Sequence, residues 1–356
     1  MSTLWRKIKG VEKEKSLQPV EKGGVTLEKP TVIFLTGVST TENKPQFVGG
    51  SISHVEEMLN SFGSGLADKT EILAWSYQKK RKNMFNVMSY NLDPQYQSSA
   101  LAREFANSFL LPHMADNCTF NKKGKLESGD RKPVKSVADA FNNLTLLCYS
   151  YGTVFAQEVY NAARENMNVL GYSENEAKYI MTRIHQISLG AVSRPMLEKD
   201  RYASICLVAT NDRISNHKRR LWWTFNEFRA AYAKELKINQ ISKRSWYISA
   251  PVQKDLWEEK VNKDGEIEMR NINHLFPKWF PRASHHELPH YTTDQDESNQ
   301  FAKIARFALI NCVRRKKPLR PEQMIKPPMK FFGKDWFLSK ECQNYQKRIA
   351  KAVSKS

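Results

Sequence analysis

The sequence predicts an α/β fold, with a mostly parallel sheet and helices on both of its faces. Short apolar runs rich in β-branched residues recur along the chain, and such runs suit strands that are buried on both sides. Segments with apolar residues at helical spacing alternate with them at intervals of ~30 residues, as in parallel sheets with crossover helices. The chain has 356 residues, of which 40% are hydrophobic, and this composition excludes a protein that is disordered throughout.

The elements follow in order from these two patterns. Residues 1–29 are charged, contain Gly23-Gly24 and lack periodicity, so they predict a flexible lead-in. Residues 121–133 are rich in Lys, Gly and Ser, which predicts a loop. The predicted strands lie at 31–38, 70–77, 144–149, 184–189 and 203–209. The predicted helices lie at 98–111, 137–143, from 152 onwards, 174–183 and 296–312.

One domain is predicted at 30–313, because the strands and helices alternate throughout this range. Two segments, near 79–135 and 213–284, are too long for simple crossovers and are predicted to be insertions. The second contains five tryptophans: Trp222, Trp223, Trp246, Trp257 and Trp279. This aromatic content favours a cap-type insertion. The last segment, 314–356, is predicted to be a basic tail that contains several prolines.

The net charge of +19 is concentrated in that tail, which holds 13 Lys or Arg and three acidic side chains. A basic segment attracts anionic lipid headgroups or nucleic acid. No sequence signature of an RNA- or DNA-binding fold is present, so peripheral contact with an anionic membrane is favoured over nucleic acid. A solvated tail that only improves solubility is the interpretation favoured over nucleic-acid binding.

The sequence also limits the compartment of the protein. No apolar run reaches the ~20 residues of a membrane-spanning helix, and the first ten residues lack the apolar centre of a secretory signal. Five dispersed cysteines without a CxxC pair argue against a disulfide framework and a zinc ribbon. These features predict a protein that is cytoplasmic or exported without a cleavable signal peptide, and that is not transmembrane.

The segment Cys148-Tyr149-Ser150-Tyr151-Gly152 joins a predicted strand to a predicted helix. A serine in such a turn has a strained backbone that places its Oγ above the sheet. The residues two before and two after the serine must be small, because the strand and the helix pass close together. Gly152 meets this demand fully and Cys148 meets it in part. Since the helix begins here, the Tyr151 N–H is the predicted oxyanion donor.

With this turn the chain resembles the α/β-hydrolase superfamily, over residues 30–312 by order of elements and with C-x-S-x-G in place of G-x-S-x-G. The resemblance implies an acid after a later strand, and Asp212 follows the predicted strand at 203–209. It also implies a second oxyanion donor in the loop after the early strand. There the Val38 N–H is the expected donor, and Gly37 would let the backbone approach the substrate.

The resemblance places the catalytic histidine in a loop before the last helix, and three histidines lie there. His290 and His286 are the leading candidates for the base, and His285 is the third. The chain order Ser, Asp, His is the order that the superfamily uses. A neutral imidazole would remove the Ser150 proton, and Asp212 would fix its tautomer and stabilise the imidazolium.

A zinc-protease spacing, H-E-x-x-H, also occurs at His286-Glu287-Leu288-Pro289-His290. Zinc chemistry at this spacing needs both histidines on one face of a helix, with the glutamate beside the metal-bound water. Pro289 would lie inside that helix, where proline removes an N–H and costs ~3 kcal/mol or more. The pentapeptide is therefore better explained as a histidine-containing loop, and a zinc metalloprotease is the minor alternative.

The expected function is hydrolysis of an ester, thioester or amide through a Ser150 acyl-enzyme. Residues 218–232 combine a basic start with an apolar helical stripe, which predicts either a lid over an acyl pocket or a core helix; the lid would favour a lipid or acyl ester as substrate. The alternative is a catalytically inactive hydrolase fold that binds a membrane, nucleic acid or a protein partner through its basic surface. No cofactor is expected, because the strand-to-helix turns contain no phosphate-binding glycine pattern.

Overall fold

A computed structural model of the chain describes residues 2–7, 17–35, 45–77, 99–191, 202–209, 236–250, 257–261, 267–271, 288–292, 300–328 and 339–354. The strands in these ranges are β1 (Ser2–Lys7), β2 (Leu17–Pro19), β3 (Thr31–Leu35), β4 (Glu71–Tyr77), β5 (Ala115–Phe120), β6 (Leu126–Arg131), β7 (Leu144–Tyr149), β8 (His185–Leu189), β9 (Ala203–Ala209), β10 (Lys237–Ser242), β11 (Ser245–Ala250), β12 (Trp257–Val261) and β13 (Ile267–Asn271).

The α-helices in the same ranges are α1 (Pro45–Asn60), α2 (Ala100–Phe105), α3 (Leu111–Met114), α4 (Val134–Asn142), α5 (Gly152–Val169), α6 (Glu174–Met181), α7 (Pro289–Thr292), α8 (Gln300–Arg314), α9 (Pro321–Met324) and α10 (Lys340–Ser354). A π-helical segment, Ala106–Leu110, joins α2 to α3. Within the described part of the chain, no helix has the length and apolar character that a membrane span requires.

Nine of the described strands form one mixed sheet, in the order β10-β11-β9-β8-β7-β3-β4-β1-β2. The six strands from β11 to β4 run parallel, and β10, β1 and β2 pair antiparallel at the two edges. The prediction of an α/β fold with a mostly parallel sheet is confirmed. Two of its strands, β7 and β9, have the bounds that their apolar runs predicted.

Helices pack on both faces of this sheet, and the alternation of side chains along β3 shows how. Val32 and Phe34 belong to a buried cluster that includes α1 and α8. Ile33 and Leu35 belong to a second cluster that includes α2, α4 and α5. Since consecutive side chains of a strand point to opposite faces, the two clusters are separate cores on the two sides of the sheet. A strand buried on both sides needs apolar residues at every position, which explains the continuous apolar run.

The segment 1–29, predicted to be a flexible lead-in, contributes two strands to the sheet. β1 pairs with β4, and β2 pairs with β1. Leu4 is 1% exposed, Val25 and Leu27 are each 2% exposed, and Arg6 forms an ion pair with Glu71. The prediction is therefore wrong for the described part of the segment. β2 is the edge strand and β1 lies next to it; strands at or near the edge of a sheet bury fewer side chains and pair through the backbone, so they leave no apolar run in the sequence.

The predicted insertion at 213–284 contains two strands of the main sheet. β11 pairs in parallel with β9, and β10 pairs antiparallel with β11, so 237–250 belongs to the sheet and that part of the prediction is corrected. These strands mix polar and apolar residues, which gives a weaker strand signal than a continuous apolar run. β12 and β13 form a separate two-stranded sheet. The proposed lid at 218–232 lies outside the described residues.

The predicted insertion at 79–135 is described from residue 99, and from there it packs onto the sheet. Phe105 of α2 contacts Trp75 of β4 edge to face, with 5.0 Å between the ring centroids. The loop predicted at 121–133 is wrong in part, because it contains β6, which pairs with β5 in a hairpin. The Asn121 side-chain oxygen accepts hydrogen bonds from the backbone N–H groups of Lys123 and Lys125 in the connecting turn, at 2.9 and 3.0 Å. Exposed, polar hairpin strands carry no apolar signal.

The basic tail predicted at 314–356 is folded in its described parts. α9 and α10 pack on the α1 and α8 side of the sheet, where Cys342 is 0% and Ala352 is 3% exposed. Tyr345 of α10 donates a hydrogen bond to the Ile325 carbonyl at 2.7 Å. The interpretation of a solvated tail is corrected for these parts. One apolar residue per helical turn is enough to fix a helix on a core while its other faces stay charged.

Candidate functional site

The turn between β7 and α5 holds Ser150 in a left-handed backbone conformation. Its φ is +54°, in a region that residues other than glycine adopt at a cost of ~1–2 kcal/mol. The Ser150 N–H donates to the Leu189 carbonyl of β8 at 3.0 Å. Its carbonyl accepts from the Thr153 N–H at 3.1 Å and from Thr153 Oγ1 at 2.7 Å. Neighbouring strand and helix therefore hold the strained residue from both sides, as expected where strain serves a site.

The residues on either side of the turn are packed as the motif requires. Ser150 is half-buried, whereas Cys148 and Gly152 are buried. Cys148 lies in register with Leu35 of β3 and Ser188 of β8, so its side chain is enclosed by the core. Burial raises the pKa of the Cys148 thiol well above its ordinary value, with a smaller contribution from Cys206. The thiol is therefore neutral near pH 7, and its role here is that of a small packing group.

The serine lies where ligand sites occur in open parallel sheets. β3 and β7 are neighbours, but the chain leaves β3 toward β4 and leaves β7 toward β8, so the topology changes direction between them. The helix after β3, α1, packs on one face, and the helix after β7, α5, packs on the other. A crevice at the carboxyl ends of two such strands is the general binding position of this fold class. Ser150 directly follows the carboxyl end of β7.

Of the two predicted oxyanion donors, Tyr151 lies among the described residues and Val38 does not. Tyr151 is buried and precedes the first residue of α5, an 18-residue helix, so the helix N-terminus lies beside Ser150. This placement fits a donor at the positive end of a helix dipole. Gly37 and Val38 lie outside the described residues. The strand before them, β3, ends at Leu35 beside β7, so its carboxyl end lies at the same end of the sheet as Ser150.

The structure describes an element next to the predicted acid and an element that contains the leading candidate for the base. Asp212 lies outside the described residues, and the strand that precedes it in the sequence, β9, ends at Ala209, two strands from β7. Two strand spacings amount to ~10 Å, a gap that one imidazole and its hydrogen bonds bridge in part. His290 lies in the helical turn α7, and its side chain is outside the described set. His285 and His286 also lie outside it.

One contact joins the turn α7, which contains His290, to the end of β9, the strand that precedes Asp212. The Ala209 N–H, at the end of β9, donates to Tyr291 Oη at 3.1 Å. Tyr291 is 0% exposed and directly follows His290. The contact therefore places α7 at the carboxyl ends of the parallel strands, and Ser150 lies at the same end of the sheet. The distances among the Ser150, Asp212 and His290 side chains remain a prediction.

The zinc spacing at 286–290 is described only in its second half. α7 begins at Pro289, and Leu288 before it lies in a turn, so the helix that carries His290 does not run back to His286. Proline is well accommodated at the first residue of a helix, where its missing N–H has no helical partner to lose. In the described part of the chain, no group of three or more His, Cys, Asp or Glu side chains is arranged to hold a metal ion.

Two features of the site were missed at the level of sequence. Gly190 follows β8 with a φ of +54°, and its N–H donates to the Leu207 carbonyl at 2.9 Å, immediately beside the Ser150 turn. The sequence signal was present, since a glycine directly follows a predicted strand. Tyr291 carries no such signal, because a single tyrosine in a short turn shows no periodicity.

Comparison with known proteins adds no assignment. No protein-family model matches this chain, and no curated protein is significantly similar to it.

Proposed function

We propose that this protein is a serine hydrolase of the α/β-hydrolase type, which cleaves an ester, thioester or amide through an acyl-enzyme on Ser150. The observation that carries the proposal is the positive φ of Ser150 in a strand-to-helix turn beside the topological switch point. Glycine adopts this conformation freely, so a serine that the neighbouring strand and helix hold in it supports a role for the side-chain oxygen. The exposure of Ser150, which is half-buried, is compatible with access by a substrate.

The roles follow from the chemistry of acyl transfer. Ser150 Oγ attacks the carbonyl carbon of the substrate as its proton passes to an imidazole, and a tetrahedral oxyanion forms. The oxyanion accepts hydrogen bonds from the Tyr151 and Val38 N–H groups. Collapse of this intermediate releases the leaving group, which takes the proton from the imidazolium, and leaves the acyl group on Ser150. Water then attacks the acyl-enzyme by the same sequence and restores Ser150.

Asp212 and His290 complete the proposed triad. What supports this pair over the other histidines is the hydrogen bond from Ala209 to Tyr291, which joins the turn containing His290 to the strand that precedes Asp212. His286 is the second choice for the base. The substrate is proposed to be a lipid or another acyl ester, on the basis of the basic charge and the aromatic content of 213–284.

The test is a fluorophosphonate probe, which phosphonylates an activated serine. The wild-type protein should be labelled, and Ser150→Ala should abolish labelling, because the nucleophilic oxygen is gone. Ser173→Ala is a suitable control, since Ser173 is a helix-capping serine at α6 far along the chain from the turn. Labelling that persists in Ser150→Ala, or a folded wild-type protein that is never labelled, would overturn the proposal.

The alternative is a hydrolase fold without activity that binds an anionic membrane through its basic surface. The observation in its favour is α10, whose apolar side packs on the core while Lys340, Lys347, Arg348 and Lys351 are exposed. Such a surface predicts binding to vesicles of anionic lipid that weakens steeply with salt. Salt-sensitive vesicle binding without probe labelling would favour this alternative, and preferential binding to RNA would replace the membrane with nucleic acid.

A further inference from the structure

The Tyr291 side chain joins two segments that are 82 residues apart in the sequence. Its hydroxyl oxygen accepts the Ala209 N–H at 3.1 Å, and both residues are 0% exposed. A buried backbone N–H at the end of a strand needs an acceptor, and here a side chain provides it. The contact therefore defines where the turn α7 lies relative to the end of β9.

The same turn is held from its other side by α8. The Tyr291 ring packs against Phe301 of α8, with 5.6 Å between the ring centroids. Arg306 of α8 donates two hydrogen bonds, at 3.0 and 3.2 Å, to the carbonyl of Thr292. Inside the turn, the Leu288 carbonyl accepts the Tyr291 N–H at 2.9 Å. A four-residue helical turn has little stability of its own, so these outside contacts fix its position.

We propose that Tyr291 is a positioning residue of the candidate site, an inference that rests on the serine-hydrolase proposal above. It sets the register between the turn that contains His290 and the strand end that precedes Asp212. Asp212 follows Ala209 by three residues, and three residues of chain reach at most ~11 Å. The hydroxyl group of Tyr291 therefore anchors the turn that contains His290 at the strand end that precedes Asp212, and this anchoring would orient the imidazole before substrate binds.

The decisive experiment is Tyr291→Phe, which keeps the ring against Phe301 and removes only the oxygen that Ala209 uses. The rate of Ser150 labelling by the fluorophosphonate probe should fall about tenfold to a hundredfold, the size expected when a catalytic group is misplaced by ~1 Å. The midpoint of the labelling rate against pH should also move to lower pH. An imidazole that loses contact with a carboxylate has a lower pKa, and the neutral imidazole is the active base.

The matched control is Tyr345→Phe, which removes the hydroxyl of a half-buried tyrosine that also bonds to the backbone, at the Ile325 carbonyl. This control should lose similar stability and keep the labelling rate and the pH midpoint of the wild type. Arg306→Met is the second variant, because it loosens the same turn from the α8 side without touching Tyr291. It should shift the pH midpoint in the same direction as Tyr291→Phe.

The outcomes separate this inference from the proposal on which it rests. If the wild type is not labelled at all, the serine-hydrolase proposal fails and the role of Tyr291 fails with it. If the wild type is labelled, but Tyr291→Phe and Arg306→Met both keep its rate and pH midpoint, the hydrolase stands and the positioning role is overturned. A Tyr291→Phe protein that does not fold leaves Arg306→Met as the deciding variant.

Discussion

At the scale of single residues, the backbone of Ser150 is the feature that distinguishes the candidate site from an ordinary turn. Its φ of +54° is one of four positive values among the described residues other than glycine. The hydrogen bonds to Leu189 and Thr153 hold the residue in place, so the fold compensates for the strain locally. A conformation that costs free energy and is retained at a strand-to-helix turn is typical of sites where the position of a side-chain oxygen matters more than stability.

This strain predicts the stability of two variants at the same position. The free energy of unfolding of Ser150→Gly should be about 1 kcal/mol higher than that of Ser150→Ala, because glycine adopts positive φ without the Cβ clash. Both variants lack the nucleophile, so the comparison isolates the backbone. Denaturant unfolding of the two proteins gives the difference.

Ala350→Gly is the control for this comparison, since Ala350 is exposed within α10 and has ordinary helical surroundings. There glycine should lower the free energy of unfolding by about 1 kcal/mol, the opposite sign. Equal effects of glycine at the two positions would show that Ser150 is not strained.

At the scale of elements, the segment after α8 is anchored to the sheet through a buried arginine. Arg315 donates to the Leu144 carbonyl at 2.6 Å and to Thr145 Oγ1 at 2.8 Å, at the start of β7. It also bonds to the Cys312 carbonyl. Burial lowers the pKa of Arg315 to about 10, so the guanidinium is still charged near pH 7. The arginine therefore connects the end of α8 to the amino end of β7, at the opposite end of the sheet from Ser150.

Arg315→Met should lower the free energy of unfolding by about 2–4 kcal/mol, because several buried acceptors lose their donor together. Lys316→Met, an exposed neighbour, should change it by less than about 0.5 kcal/mol. Denaturant unfolding of both variants makes the comparison. Equal stability of the two would contradict the anchoring role of Arg315.

At the scale of the whole molecule, the stability of the fold should depend on the neutral form of His185. Its Nε2 accepts the Leu319 N–H at 2.8 Å, while its Nδ1 lies 3.0 Å from the Arg183 carbonyl, an arrangement that suits one neutral tautomer. Burial, together with the nearby charge of Arg315, lowers the pKa of His185 well below its ordinary value. In the folded protein the imidazole therefore resists protonation.

This lowered pKa determines the direction of the pH dependence. As the pH falls below about 6.5, the unfolded chain binds a proton at His185 that the folded protein does not, so the free energy of unfolding decreases, by at most about 1.4 kcal/mol per pH unit. Burial also lowers the pKa of His113, which adds to the same trend. Thermal unfolding between pH 7.5 and pH 5 measures the effect, over a pH interval chosen to span the ordinary histidine pKa of about 6.5.

His185→Gln should reduce this acid sensitivity, because glutamine accepts the Leu319 N–H without a titrating nitrogen. His54→Gln is the control, since His54 is a surface histidine that lies 3.6 Å from Glu57. If His185→Gln and His54→Gln show the same dependence on pH as the wild type, the assignment to His185 is wrong.

The main sheet also shows which strands can be predicted from sequence patterns and which cannot. The strands of the centre, such as β7 and β9, were predicted to the residue, because burial on both faces demands an uninterrupted apolar run. β1, β2, β10 and β11 were missed, although they belong to the same sheet. Two of them, β2 and β10, are the edge strands, where polar side chains face solvent and the backbone provides the pairing.

The amino-acid sequence by itself determined the fold class, the buried central strands, the turn around Ser150 and the chain order of the proposed Ser, Asp and His. The first three are local properties, since each depends on the apolar pattern or the size of residues that are close in the chain, and the chain order is read directly from the sequence. Only the tertiary structure decided the order of strands, the place of the two ends of the chain in the fold, and the contact between Tyr291 and Ala209. Such contacts form between residues far apart in the chain, and one hydrogen bond leaves no periodic trace in the sequence that could have predicted it.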